Sequence, residues 1–212
     1  MTNQSYGKVA AGFIGVWFLF SLVGSALHLF LNDASRPPIA LGIAVLTPIV
    51  LFVVWFNTSQ GFRRFVLSLN PRTLTTVQSW RIAGFVFLVL YTYRLLPGLF
   101  ALPAGWGDVF IGATAVFVSM RLASPEHRNS FILWQALGIS DLVIALITGT
   151  TAGLLSPHGI ATSPMTELPL SLIPTFAVPL LMILHFICIA QARRWPVIER
   201  AHFGEQLPSS AA

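Results

Sequence analysis

Long apolar runs separated by short polar breaks set the pattern of this chain. About 20 apolar residues carry a helix across a hydrocarbon layer of about 30 Å. The sequence offers about six such runs: Val9 to Leu31, Pro38 to Trp55, Thr75 to Leu95, Leu99 to Leu122, Phe131 to Leu154 and Leu172 to Gln191. The breaks between them carry their own signals. In Thr58 to Asn70, Phe62, Phe65, Val66 and Leu69 recur at helical spacing while Arg63 and Arg64 take the other face, which predicts an amphipathic helix lying along the headgroup surface. Asn70 followed by Pro71 reads as an N-cap and a first-turn proline, so the third helix begins there and takes Gln78 and Arg81 into the membrane. Ser124 and Pro125 repeat that start signal for the fifth helix, with Glu126 in its first turn, which leaves a very short turn before it. Leu155 to Ser171, with Pro157, His158, Pro164, Glu167 and Pro169, is the longest polar connection and has the length of a gate, a docking surface or a plain linker. The pattern predicts an all-α polytopic bundle over residues 1–203, with a disordered tail rich in Pro, Ser and Ala over 204–212.

Composition agrees. Of 212 residues, 55% are hydrophobic and only 9% charged, with mean hydropathy +0.78, whereas a soluble domain is about a quarter charged. A net charge of +5 would suit nucleic acid if it formed a patch, but the basic residues fall where topology signals fall. Lys8, Arg63, Arg64, Arg72, Arg121, Arg128, Arg193, Arg194 and Arg200 share one side of a six-crossing chain, while Arg36 and Arg94 hold the other. The positive-inside rule then places both termini in the cytoplasm and makes a bilayer, not nucleic acid, the expected partner. The expected location is a bacterial plasma membrane. The first apolar run exceeds the roughly 7 to 15 residues of a cleavable signal and reads as a retained helix. Trp55, Trp80, Trp106, Trp134 and Trp195 lie at or near the expected span ends, as interface residues do, and Trp17 alone lies deep in a span. The one cysteine, Cys188, rules out an internal disulfide and a cysteine-based metal site.

Against this apolar background two aspartates stand out. Asp108 and Asp141 are equally far from the turn at Ser124 and Pro125, so antiparallel helices place their carboxylates at equal depth near the bilayer centre. An ionisable group there costs several kcal/mol and marks a functional site by default. At about 1.5 Å per residue, Arg81 and His185 lie about 12 to 14 Å in from the arginine-bearing side and Asp141 about 20 Å in, a gap that an arginine side chain can close. The expected constellation is Asp108, Asp141, Arg81 and His185, with no metal and no bound cofactor. Two carboxylates in low dielectric cannot both ionise without a compensating cation. Such a group serves as a proton relay or ion gate, or only fixes helix register. Small residues accompany both aspartates at helical spacing: Gly105 and Gly112 on the fourth span, Gly149 and Gly153 on the fifth, the faces along which helices pack closely. A shallower polar group, His28, Arg94 and Tyr91, reads either as solvated interface or as an outer entrance. Prolines 48, 97, 103, 174 and 179 free backbone groups and favour an internal cavity.

The stretch Gly105 to Gly112 echoes Gly138 to Ala145, and Phe100 to Pro103 echoes Phe176 to Pro179, as an inverted repeat would. Gly105-x-Gly107-Asp108 resembles the short signature of intramembrane aspartyl proteases and prepilin peptidases, whose chemistry needs two facing aspartates. The likeness covers four residues, and the aspartate on this helix is the first of the pair where those families carry the second. His28 and His185 lie at unmatched depths for a b-type haem, and Lys8, the only lysine, lies outside the spans, so no Schiff-base retinal is expected. The runs Trp80 to Gly84, Leu96-Pro97, Phe100 to Asp108 and Leu168 to Phe176 together resemble uncharacterised bacterial multi-pass membrane proteins, a likeness that implies six helices and says nothing of activity. The expected function is a small transporter or channel-like module acting on a proton or an unknown small solute. Its alternatives are a scaffold or accessory subunit, as a homo-oligomer or with a partner membrane subunit, and an intramembrane enzyme or electron-transfer subunit.

Overall fold

A computed structural model describes residues 3–31, 38–155, 160 and 162–196. All regular structure among them is helical: α1 (Asn3–Ala26), α2 (Ile39–Thr58), α3 (Gln60–Leu67), α4 (Pro71–Val77), α5 (Phe85–Thr92), α6 (Gly98–Arg121), α7 (Arg128–Leu155) and α8 (Val178–Ala192). Six helical stretches are long and apolar enough to cross a membrane, with α4 and α5 counted as one. Their outward faces carry Val16, Ile43, Phe117 and Ile147, all exposed. The α8 stretch is the central one, 56% of its apolar window being buried, against 22% for α1 and 11% for α2.

The short α3 forms for the reason its pattern gives. Ser59 caps it by accepting from the Phe62 amide at 3.2 Å, and Phe62 and Val66 are buried beneath the helix. Trp55 at the end of α2 stacks on Phe62 with centroids 3.8 Å apart. Arg63 donates to the Phe56 and Asn57 carbonyls at 2.9 and 3.0 Å, closing the open end of α2. The start of the third span likewise follows its signal, the Asn70 side chain accepting from the Arg72 amide at 2.9 Å.

Where the pattern predicts one continuous third helix, the chain tightens into a 3-10 segment, Gln78–Gly84, between α4 and α5. This segment packs most closely on α6. A side chain at Gly112 would meet the backbone of Arg81 and Ile82, and one at Gly105 would lie 2.6 Å from the Leu88 side chain. Gly149 faces the Phe100 ring at 3.3 Å, and Gly153 lies in α7 with its surroundings outside the described residues. Ser124 does not cap α7 with its side chain: Pro125–His127 forms a 3-10 turn, and the Ser124 hydroxyl lies 3.3 Å from His127 Nδ1. The C-terminal end of α8 is closed by Arg128, whose Nε donates to the Ala192 carbonyl at 3.0 Å.

Trp17, the tryptophan out of place for an interface residue, has an internal partner. Its Nε1 donates to the Thr175 carbonyl at 3.0 Å, and the Ser21 hydroxyl donates to the same oxygen at 3.3 Å. Pro179, four residues on, has no N–H to offer that carbonyl, so the indole and hydroxyl satisfy it. One tryptophan departs from the exposed setting expected of an interface residue. Trp80 and Trp106 are exposed beside Arg81 and near Asp108 in sequence, and Trp134 is buried, donating to the Thr114 hydroxyl at 2.9 Å. After α7, Met165 packs with Phe87, Leu96 and Phe100, so the described part of the long connection is anchored in the core. His158 and the tail from residue 204 lie outside the described residues.

Helices alternate in direction, so Lys8, Arg63, Arg64, Arg72, Arg121, Arg128, Arg193 and Arg194 gather on one face of the bundle with Glu126 as the acidic residue described there. Direct contacts tie this face together: Tyr6 stacks on Phe65, and Gln191 donates to the Leu69 carbonyl at 2.8 Å. The opposite face carries Arg94 and Glu167.

Candidate functional site

Arg81 organises the interior. Its guanidinium is almost fully buried, with 1% of the side chain exposed, against 16% for Asp108 and 14% for Asp141. Nε donates to Asp108 Oδ1 at 2.7 Å and Nη2 to Asp141 Oδ2. Nε and Nη2 lie on the same edge of the planar guanidinium, the edge that a single carboxylate would occupy with both oxygens. Here that edge holds one oxygen from each of two carboxylates, carried by antiparallel helices α6 and α7. Asp108 and Asp141 are therefore level and adjacent.

Nη1, on the far side, donates to the Gly138 carbonyl at 3.1 Å and meets His185 Nε2 at 3.3 Å. His185 Nδ1 lies 2.5 Å from Gln135 Oε1, and Gln135 Nε2 donates to the Thr75 hydroxyl at 3.0 Å. An amide oxygen only accepts and a guanidinium only donates. His185 thus carries its proton on Nδ1 and offers a lone pair to Arg81, which makes it neutral. The sum is one cation facing two carboxyl groups, so Arg81 alone compensates only one of them in its ionised form.

Glycines make the room. A side chain at Gly107 would collide with the Asp141 carboxylate, one at Gly84 with Asp108, and one at Gly138 with the His185 ring. Each neighbour of the cluster is thus seated against a helix backbone with no Cβ in the way. Gly107 belongs to the Gly-x-Gly-Asp run, and in this fold its role is to admit the other aspartate. These three glycines, with Gln135 and Thr75, complete the site and were not marked by spacing from the aspartates. The polar path toward the arginine-rich face continues from Thr75 to Cys188, oxygen to sulfur 3.8 Å. Gln135 stands in that path, and an amide passes no proton without tautomerising, so the chain of contacts positions His185 and does not conduct.

The shallower group does not converge. His28 and Arg94 each adopt φ 57° and each ends a helix. Leu29 N donates to Gly24 O at 2.9 Å beside His28, and Leu95 N donates to Leu90 O at 2.9 Å beside Arg94, the six-residue closure in which glycine is usual. Tyr91 packs against Gly98 at 2.9 Å from where a Cβ would stand. Among the described residues no hydrogen bond joins His28 to Arg94 or Tyr91. No group of three or more His, Cys, Asp or Glu able to hold a metal occurs among them either.

A family described as a domain of unknown function, DUF8737, matches residues 38–193. The chain belongs to the DUF8737 family. That match spans α2 to α8 and includes all of the cluster, while α1 precedes it. The DUF8737 region is thus a body of five spans built round Arg81, with α1 laid against it. No curated protein and no solved structure matches the chain.

Proposed function

We propose that the protein is an integral membrane module, with both ends on the cytoplasmic side of a bacterial plasma membrane, in which the Asp108–Asp141 pair takes up and releases one proton or one monovalent cation as part of transport. The observation that carries this reading is the shared guanidinium edge. Two carboxylates side by side on one arginine leave one negative charge uncompensated, in surroundings where such a charge costs several kcal/mol. A single proton or cation between the carboxylates neutralises the site without disturbing Arg81. His185, neutral and fixed by Gln135, holds the far side of the guanidinium so that both aspartates meet the same edge. The residual exposure of both carboxylates leaves them reachable, while Arg81 stays covered.

The test is proton flux into liposomes carrying the purified protein under an imposed potential, read with an internal pH dye. Asp141→Asn, which fixes the neutral form of that side chain, is expected to abolish flux and to keep the fold. Normal flux in that variant rejects the relay.

A second reading is favoured by a specific observation. Four of the five N–H donors of Arg81 are engaged, to Asp108, Gly138, His185 and Asp141, as expected of a group that fixes helix register in a scaffold or accessory subunit. In that case neither the wild type nor Asp141→Asn conducts, and the variants differ only in stability.

A further inference from the structure

Beyond the charged cluster, a feature left unexplained among the described residues is the separation of α1 from α2. The two helices diverge on either side of the π-helical turn Ile173–Ala177 and α8, leaving two apolar clefts of about 520 and 430 Å³. Phe13, Trp17 and Leu51 line both, so the two clefts lie end to end between α1 and α2. The second cleft ends against Phe65 and Leu69, at α3 and the arginine-rich face. Hydroxyls nearby are occupied: Ser21 on the Thr175 carbonyl, Thr58 on the Val54 carbonyl and Thr47 on the Ile43 carbonyl. The lining therefore offers nothing to a polar solute and an unbroken apolar wall to a hydrocarbon chain.

We propose that this cleft binds one anionic phospholipid from the leaflet bordering α3, with an acyl chain between α1 and α2 and the phosphate at Arg64. Charge complementarity selects the headgroup. Arg64 is exposed on the outward face of α3, above the cleft that Phe62 and Val66 line from the inward face, and the described residues round it are basic apart from Glu126, whereas Arg63 is engaged on the end of α2. A basic cluster at a membrane surface attracts anionic lipid by about 1 kcal/mol per side chain. Geometry selects the chain: a cleft at the bilayer level opens sideways to lipid. The bound lipid completes the packing of α1, which touches the body mainly at α3 and at Thr175. The inference rests on the membrane reading and is independent of the proton reading.

Native mass spectrometry of the purified protein, delipidated and then given dioleoyl phosphatidylglycerol or dioleoyl phosphatidylcholine, tests it. The wild type is expected to retain one phosphatidylglycerol in preference to phosphatidylcholine. Arg64→Gln, an exposed change that leaves the fold alone, should reduce that preference about fivefold. Ala10→Phe, which fills the cleft at its α3 end, should prevent retention of either lipid. The proposal is overturned if no lipid is retained at one per chain, if Ala10→Phe still retains it, if Arg64→Gln keeps the full preference, or if the mass shows a second protein copy in place of lipid.

Discussion

Arg81 is a single residue on which opposing costs meet, and truncating it separates them. Removing the guanidinium leaves two carboxylates together without a cation, so Arg81→Gln is expected to destabilise the protein by about 3 to 5 kcal/mol, measured by denaturant titration in detergent. Asp141→Asn removes the surplus charge instead. On the Arg81→Gln background it should recover part of that loss, with a coupling of about 0.5 to 3 kcal/mol in a double-mutant cycle. Additive effects would mean that the residues do not form one electrostatic unit. Lysine is no substitute at this position, because a point charge cannot hold one carboxylate on each of two adjacent nitrogens. Steric room is as decisive as charge. Gly107→Ala and Gly138→Ala place a methyl group against Asp141 and His185, and each should cost about 1 to 3 kcal/mol by overpacking. Arg94 offers the opposite case. It sits at φ 57°, where glycine carries no strain, so Arg94→Gly is expected to keep or raise thermal stability. A large loss of stability would show that its side chain holds the outer connection.

At the scale of elements, the third span shows what periodicity can and cannot reveal. Apolar run length gave six spans because the cost of exposing backbone in hydrocarbon leaves few alternatives to a helix, and Asn70-Pro71 marked its start correctly because the cap is a local hydrogen bond. The 3-10 segment Gln78–Gly84 was not legible. It arises where Gly112 of α6 lies against the Arg81 and Ile82 backbone, a contact between residues distant in sequence. Its consequence reaches the cluster: 3-10 backbone rises about 2.0 Å per residue against about 1.5 Å in an α-helix, which carries Arg81 deeper toward the aspartates than α-helical counting allows. The aspartates themselves were legible, since charge in an apolar run needs no structure to be noticed and the turn at Pro125 sets their depth. Gln135, Thr75 and the three glycines were not, because polar uncharged and small residues are common in spans. The attachment of α1 follows the same logic. Trp17 and Ser21 serve a carbonyl that Pro179 leaves without a partner, so Trp17→Phe should free that carbonyl, cost about 1 kcal/mol and raise amide exchange in α1 before the rest. Uniform exchange across all helices would show that α1 is not held separately.

The whole molecule has a polarity that its sequence states twice, once in the alternation of helices and once in the placement of cations. Because the basic residues collect on the α3 face while Arg94 and Glu167 stand on the other, the orientation proposed above puts the α3 face in the cytoplasm. On that proposal, orientation decides from which side a proton would reach the carboxylates. On the proposed reading, the hydrogen-bonded path from the cluster toward the α3 face is interrupted at Gln135, so a proton would enter by another route. Orientation can be measured without knowing the substrate. Cys188 is the single cysteine of the chain and is buried, so Cys188→Ser provides a background without reactive thiols. In that background Tyr93→Cys places a thiol on an exposed residue of the Arg94 connection, and Ser68→Cys places one at the end of α3, also exposed. A membrane-impermeant maleimide applied to intact cells should label Tyr93→Cys and spare Ser68→Cys until the membrane is opened. Labelling of Ser68→Cys alone would invert the molecule, placing the arginine-rich face outside and reversing the side from which the aspartate pair would load.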